Sequence, residues 1–145
     1  TILSFAVLIV VASQSGDRIE DFNGLSRRSP FLSFAMLIAM GSLAGLPFTA
    51  GFLGKFFIFD AAIRHHQTML LVIGVITVAC GFYYYFKVIR AMYWEPGSSD
   101  SAVPISGLTR YTIVALIAGI LVLGVYPQPI LDALRPGAVA LSATR

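Results

Sequence analysis

The stretch Leu43-Ala44-Gly45-Leu46-Pro47-Phe48-Thr49-Ala50-Gly51-Phe52-Leu53-Gly54-Lys55-Phe56 places one cation beside a proline and several glycines in an otherwise apolar segment. From Phe31 to Gly54 no residue carries a formal charge. A lysine in such a segment is costly in a membrane, and a functional site is the default hypothesis for it. Helix-breaking residues are tolerated at membrane depth where the backbone is buried in protein or lines a wet cavity. The combination is typical of ion-transport machinery rather than of a passive anchor.

The composition predicts an integral membrane protein of the all-α class. The chain has 145 residues, of which 57% are hydrophobic and 12% are charged, with a mean hydropathy of +0.84. A soluble domain carries about 25% charged residues. The net charge of +3 is not concentrated in a basic block, so nucleic acid is not a predicted partner. Cys80 is the only cysteine, which excludes an internal disulfide.

The sequence contains no motif for covalent or redox chemistry. There is no catalytic triad, no metal-ligand cluster, no Gly-rich nucleotide loop and no CxxC pair. The two histidines, His65 and His66, are adjacent and are interpreted as residues of an interfacial loop, with a role in proton exit as the alternative. We therefore expect no cofactor and no metal on this chain.

The hydropathy pattern predicts a bundle of about four to five transmembrane helices, one of them interrupted or distorted near Lys55. The whole chain, 1–145, is predicted to be a single membrane domain and a fragment of something longer. Gly16 to Pro30 is predicted to be a polar loop, after which Ser29 and Pro30 start a helix. The tail from Ile130 is expected at the membrane interface. The predicted helices are about 1–13, 30–45, 48–64, 68–93 and 109–126.

Lys55 is the main candidate for a proton relay. Eight residues separate it from Pro47, which corresponds to about 12 Å along a helix. If Pro47 lies at one membrane face, Lys55 is near the midplane, where desolvation disfavours the charged ammonium and allows a proton to be released. The alternative is a structural ion pair with a carboxylate on a neighbouring helix. Lys87 is a possible second relay residue, whereas Arg90 is explained by snorkelling.

The predicted helix break comprises Gly45, Pro47, Gly51 and Gly54. An alternative for Gly51 and Gly54 is close helix packing, which small residues favour in membranes. Asp60 is too far from Lys55 for an i, i+4 pair and is expected to face a polar interface between helices. The aromatic end of the fourth helix, from Tyr83 to Trp94, is expected to be a membrane-interface belt.

Three motifs and one loop carry a resemblance to a known family. They are Ser42 to Phe56 (SLAGLPFTAGFLGKF), Tyr83 to Arg90 (YYYFKVIR), Gly124 to Pro129 (GVYPQP) and the loop from Asp17 to Pro30. Together they resemble subunit N of bacterial NADH-quinone oxidoreductase, respiratory complex I, from Thr1 to about Leu134. The Gly-Phe-Leu-Gly-Lys core is shared with other antiporter-like subunits.

The resemblance implies a fourteen-helix antiporter-like fold, of which this chain matches the last part, from the tenth helix onward. It implies that Lys55 corresponds to the lysine on the broken twelfth helix, at the outlet of a proton half-channel. It places NADH, flavin, iron–sulfur clusters and quinone on other subunits. The implied partners are other membrane subunits of complex I, the lipid bilayer and protons, and the implied location is the bacterial inner membrane.

The resulting hypothesis is a proton-translocating subunit that couples NADH oxidation and quinone reduction to proton transport. It performs no redox chemistry itself. One alternative is a subunit of a multi-subunit sodium/proton antiporter or of a membrane-bound hydrogenase, and another is a scaffold fragment that transports nothing. The family's orientation puts the loop from Asp17 to Pro30 outside and the 95–108 loop in the cytoplasm.

Overall fold

The computed structural model describes residues 1–16, 18–97 and 104–128, and the described residues are helices joined by short turns. This agrees with the predicted all-α class. The tail from Ile130 and the middle of the 95–108 loop lie outside the described residues. The helices are α1 (Ile2–Ser15), α2 (Leu25–Arg28), α3 (Pro30–Ala44), α4 (Ala50–Arg64), α5 (Thr68–Trp94) and α6 (Gly107–Val125), with a 3-10 turn at Ile19–Phe22 before α2.

The core of the described chain lies between α1 and α3. Leu3, Val7 and Val11 recur every fourth residue, which places them on one stripe of α1, and each is at most 1% exposed. They belong to the same buried cluster as Leu32 and Met36 of α3. The helix α3 therefore lies at the centre of the packing, surrounded by the other helices.

Two helices, α5 and α6, are long and apolar enough to cross a membrane by length and composition. Almost none of their most apolar stretches is buried within the chain. The exposed side chains include Leu70, Ile73 and Ile76 of α5 and Val122 of α6. Such surfaces suit lipid or neighbouring transmembrane helices better than water.

The helices α3 and α4 lie along different halves of α5, and both run antiparallel to it. The α3 half is shown by Val88, which lines one cavity with Met36 and Met40. The α4 half is shown by Gly74, where an added Cβ would lie 2.8 Å from the Phe59 ring. With 27 residues α5 is about 40 Å long, and with 15 residues α3 is about 22 Å long. The break between α3 and α4 therefore lies opposite the middle of α5.

This packing changes the interpretation of helices 30–45 and 48–64, which were expected as separate members of the bundle. They are the two halves of one interrupted unit whose combined length matches α5. The predicted start of the second half at residue 48 was two residues early, because the chain becomes helical only at Ala50.

The segment predicted as a polar loop contains the 3-10 turn and α2. Two of its apolar residues, Phe22 and Leu25, are 3% and 0% exposed, so the segment folds onto the helices instead of lying in solvent. Gly24, with a φ of 67°, allows the close approach, since an added Cβ would lie 2.6 Å from the Gly97 nitrogen. The signal that sequence reasoning missed is this apolar pair on either side of Asn23 and Gly24.

The expectation that the two interhelical loops lie on opposite sides of the membrane was wrong. The Gly24 amide donates to the Ala91 carbonyl at 3.2 Å, and the Gln14 side chain donates to the Pro104 carbonyl at 3.3 Å. Both loops therefore lie at one end of the bundle, which we call the loop end. The reason is that α3 and α4 cross together as one unit, so the chain makes one crossing fewer between the two loops.

We expect this sidedness to be measurable by cysteine labelling of the complete subunit in sealed vesicles. In a Cys80→Ser background, Glu20→Cys and Pro96→Cys should react with a membrane-impermeant maleimide from the same side. Gln67→Cys, in the turn between α4 and α5, should react only from the other side. Labelling of Glu20→Cys and Pro96→Cys from opposite sides would contradict the arrangement.

Candidate functional site

The end of α3 is closed by a left-handed turn. Gly45 has a φ of 93°, and its amide donates to the Ser42 carbonyl at 3.2 Å. The Leu46 amide donates to the Gly41 carbonyl at 2.9 Å, and the Leu46 side chain covers Gly41. This pattern is a Schellman motif, in which glycine supplies the left-handed residue. It satisfies two of the last carbonyls of the helix and leaves those of Leu43 and Ala44.

Lys55 occupies those two remaining carbonyls. Its Nζ donates to the Leu43 oxygen at 2.6 Å and to the Ala44 oxygen at 2.9 Å. Helix C-terminal carbonyls carry a partial negative charge, so a cation is favoured there. The lysine stem passes over Gly45, where an added Cβ would lie 3.1 Å from Lys55 Cδ. The lysine of α4 therefore completes the cap of α3 and ties the two halves of the unit together.

The start of α4 is held against the last turn of α3. The Gly51 amide donates to the Ser42 hydroxyl at 3.3 Å, and an added Cβ at Gly51 would overlap the Ser42 carbonyl oxygen. Thr49 stands at the N-cap position, but its hydroxyl donates to the Leu46 carbonyl at 2.7 Å instead of capping α4. The break is therefore the short segment 45–49, built from backbone and small side chains.

The structure separates the residues that were assigned to the break. Gly45 and Pro47 lie in it, whereas Gly51 and Gly54 lie inside α4 and break no helix. Gly51 makes the close helix contact that was the alternative for it. An added Cβ at Gly54 would meet nothing within 4 Å, so neither interpretation applies to Gly54 within the described chain.

Lys55 lies closer to the start of its helix than the sequence predicted. Because α4 starts at Ala50, Lys55 is about 7.5 Å from the start of its helix rather than about 12 Å. Its ammonium points back towards the break, which lies opposite the middle of α5. The side chain is half-buried within the described chain.

The alternative of an ion pair is not what the described residues show for Lys55. Ion pairs among those residues include Asp60 with Arg64, at 2.7 Å, and Arg90 with Glu95, at 3.2 Å. Asp60 therefore bonds one turn along its own helix, where we expected it to face a polar interface. The partners of Lys55 are backbone carbonyls, which do not titrate.

Lys87 lies away from Lys55, near the loop end of α5, and is exposed. It lines a cavity of about 300 Å³ together with Glu20, Asn23, Arg90 and Glu95. The structure does not bring the two lysines together. Among the described residues no group of three or more His, Cys, Asp or Glu side chains could hold a metal ion.

Sequence reasoning missed the residues that act through their backbone. The carbonyls of Leu43 and Ala44 are the partners of Lys55, and Ser42 touches the start of α4, yet none of the three has a type that signals a site. The pattern Gly41 to Leu46 could have revealed them, because glycine after an apolar helix signals a Schellman cap. Once that cap is drawn, the two carbonyls left over are those that the lysine takes.

We expect Gly45→Ala to lower the free energy of unfolding of the complete subunit by about 1–2 kcal/mol, because alanine resists the left-handed conformation. Its methyl group would also press on the Lys55 stem. Gly54→Ala is the matched control, and it should be neutral or stabilising by up to about 1 kcal/mol, because it improves helix propensity in open space. The midpoint of thermal unfolding in detergent measures both. Equal midpoints for the two variants would contradict the assigned geometry.

Comparison with known proteins shows which family the chain is similar to. The sequence profile of the family described as NADH:quinone oxidoreductase/Mrp antiporter, TM, matches residues 1–81. NADH-quinone oxidoreductase subunit N of Desulfitobacterium hafniense is 36% identical over 128 residues, covering 88% of this chain and 26% of the relative. Subunit N 2 of Syntrophobacter fumaroxidans is 38% identical over 140 residues, covering 95% of this chain and 30% of the relative.

A solved structure agrees with the sequence relatives. A chain of respiratory complex I from Thermus thermophilus, solved with bound aureothin, superposes with a TM-score of 0.76 at 35% identity. The match covers 90% of this chain and 31% of that chain. The chain thus spans between a quarter and a third of the length of these proteins. The predicted resemblance is confirmed, and the chain belongs to the NADH-quinone oxidoreductase subunit N family of antiporter-like membrane proteins.

Proposed function

We propose that this chain is the C-terminal part of a proton-translocating membrane subunit of NADH-quinone oxidoreductase, in which Lys55 is a relay station for protons. The observation that carries the proposal is the pair of hydrogen bonds from Lys55 Nζ to the carbonyls of Leu43 and Ala44. They hold an ionisable group at an interruption in an apolar unit. Irregular backbone at that depth is typical of sites that bind or pass ions.

The number of donors on the lysine explains how it could exchange a proton without losing its place. A lysine ammonium has three N–H donors, and the two carbonyls occupy two of them. Loss of the third proton leaves a neutral amine that can still donate to both carbonyls. Desolvation disfavours the charged form, while the C-terminal dipole of α3 favours it. These opposed influences make the protonation of Lys55 sensitive to charges that change nearby.

The driving force comes from outside this chain. Relatives are subunits of a redox complex, and we infer that NADH, flavin, iron–sulfur clusters and quinone are held by other subunits. Electron transfer there would shift charge along a line of buried ionisable groups, of which Lys55 is one. The exposed apolar faces of α5 and α6 are the surfaces for other membrane subunits and for lipid.

The distribution of positive charge supports one orientation. Among the residues that the structure describes, the loop end carries Arg18, Arg27, Arg28, Lys87, Arg90 and Arg110, whereas the opposite end carries Arg64. Cytoplasmic segments are enriched in lysine and arginine, so we place the loop end in the cytoplasm of a bacterial inner membrane. The helix α6 then runs from the cytoplasm towards the periplasm, as in the family, and the loop from Asp17 to Pro30 is cytoplasmic.

Lys87 would be a second station on the cytoplasmic side. The cavity that it lines with Glu20 and Glu95 is large enough to hold water and opens at the loop end. Water there would connect titratable groups to the cytoplasm.

A sodium/proton antiporter remains the second candidate, because the description of the matching family also names Mrp antiporters. Sodium-dependent proton flux that is independent of NADH would favour that candidate. A scaffold function would instead leave transport unchanged when Lys55 is neutralised.

We expect Lys55→Ala in the complete subunit to lower NADH-driven proton pumping by about tenfold or more, which corresponds to about 1.4 kcal/mol in the barrier. Lys55→Arg should pump poorly too, although a guanidinium can still cap the carbonyls, because it cannot release its proton. The arginine variant thus separates the role of Lys55 in proton transfer from its role as a cap of the two carbonyls. Pumping is measured with a pH-sensitive dye in vesicles, alongside the amount of assembled complex.

Arg64→Gln is the control for loss of a cation from α4, since Arg64 is exposed and lies at the far end of the helix. It should pump at a rate within about twofold of the unmodified complex, a change of less than about 0.5 kcal/mol. Normal pumping by an assembled Lys55→Ala variant would refute the relay.

We expect Lys87→Gln to slow pumping less than Lys55→Ala, by about two- to fivefold, because water in the open cavity can partly replace the lysine. The effect should shrink as external buffer is added, since mobile buffer carries protons to the same cavity. A loss as large as for Lys55→Ala, insensitive to buffer, would contradict a role at the cytoplasmic opening.

A further inference from the structure

The last turn of α6 lies directly against the break. An added Cβ at Gly124 would overlap the Phe48 carbonyl oxygen and lie 2.5 Å from the Thr49 Cα. At the other end of α6, the Arg110 guanidinium lies 5.4 Å from the centre of the Phe31 ring. The helix therefore runs parallel to α3 along its length and ends with its backbone on the backbone of segment 45–49.

The segment under Gly124 is strained. Phe48 has a φ of 69°, a left-handed conformation that is unfavourable for a bulky residue. Its own side chain does not hold it in place, because Phe48 is 73% exposed. A strained residue persists only where its surroundings fix it. The Phe48 carbonyl packs against the backbone of α6 at Gly124, in the space that a side chain would otherwise fill.

The break sets the position of the partners of Lys55. The Thr49 hydroxyl, directly after Phe48, donates to the Leu46 carbonyl at 2.7 Å, and the Leu46 amide closes the end of α3. A shift of Phe48 is therefore passed to both helix ends that meet at Lys55. A methyl group at residue 124 needs about 1 Å of extra room, and a displacement of that size at a reacting group can cost about a hundredfold in rate.

We infer that Gly124 is a positioning residue for proton transfer at Lys55. Because Gly124 has no side chain, the backbone of α6 packs directly against segment 45–49 and holds it in place. The inference rests on the proposed function of Lys55. The atoms nearest to an added Cβ at Gly124 belong to Phe48 and Thr49, so Gly124 acts on Lys55 through segment 45–49.

The test compares Gly124→Ala with Gly119→Ala in the complete subunit and the assembled complex. Both changes add one methyl group to α6 and raise helix propensity equally. An added Cβ at Gly119 meets nothing within 4 Å, so the pair differs in the contact with the break. Gly124→Ala should lower pumping at least fivefold, whereas Gly119→Ala should stay within twofold. Equal pumping by the two variants overturns the inference.

Two further readouts separate positioning from a general loss of stability. The pH profile of pumping should shift in Gly124→Ala and not in Gly119→Ala, because only the first alters the surroundings of Lys55. In a Lys55→Gln background, Gly124→Ala should cause no further loss, since the two changes act on one step. Independent, multiplicative losses overturn the inference.

If Gly124→Ala fails to assemble, the comparison is made in a Phe48→Gly background, where glycine lets the break yield to the added methyl. The double variant should assemble and pump less than Phe48→Gly alone. Equal pumping, or failure to assemble, overturns the inference. Normal pumping by Lys55→Gln would instead refute the proposed function, whereas impaired Lys55→Gln with normal Gly124→Ala refutes the positioning role alone.

Discussion

The constraint on which the site depends is that a helix ending inside an apolar region must satisfy its last carbonyls from within the protein. At the end of α3 the Schellman turn satisfies those of Gly41 and Ser42, and Lys55 satisfies those of Leu43 and Ala44. The ammonium is thus both a structural cap and the ionisable group. Interrupting the unit and placing a cation at the interruption are two parts of one solution.

Backbone contacts around the break allow this solution to exist. Gly51 brings α4 onto Ser42, Gly45 turns the chain and makes room for the lysine stem, and Gly124 brings α6 onto Phe48. Small residues let helix backbones approach closely where hydrophobic burial gives little driving force between helices in lipid. At Gly45 the missing side chain leaves room for the lysine stem, and the ammonium bonds to two backbone carbonyls.

Local chemistry was predictable from the sequence, and long-range geometry was not. Lys55 in an uncharged stretch, with Gly45 and Pro47 before it, indicated a cation at an interrupted helix. The predicted sidedness of the two loops was wrong, because hydropathy cannot show that helices 30–44 and 50–64 pack end to end along the single helix α5. The roles of Gly24 and Gly124 depend on residues far away in sequence, Gly97 and Phe48, so no local pattern reveals them.

The most direct test is the separation between Lys55 Nζ and the carbonyl oxygens of Leu43 and Ala44, measured by high-resolution cryo-electron microscopy of the assembled complex at rest. The account predicts that both separations are within hydrogen-bonding range, near the 2.6 and 2.9 Å found here. A lysine that points into lipid, or that pairs with a carboxylate while other donors cap the two carbonyls, would contradict it.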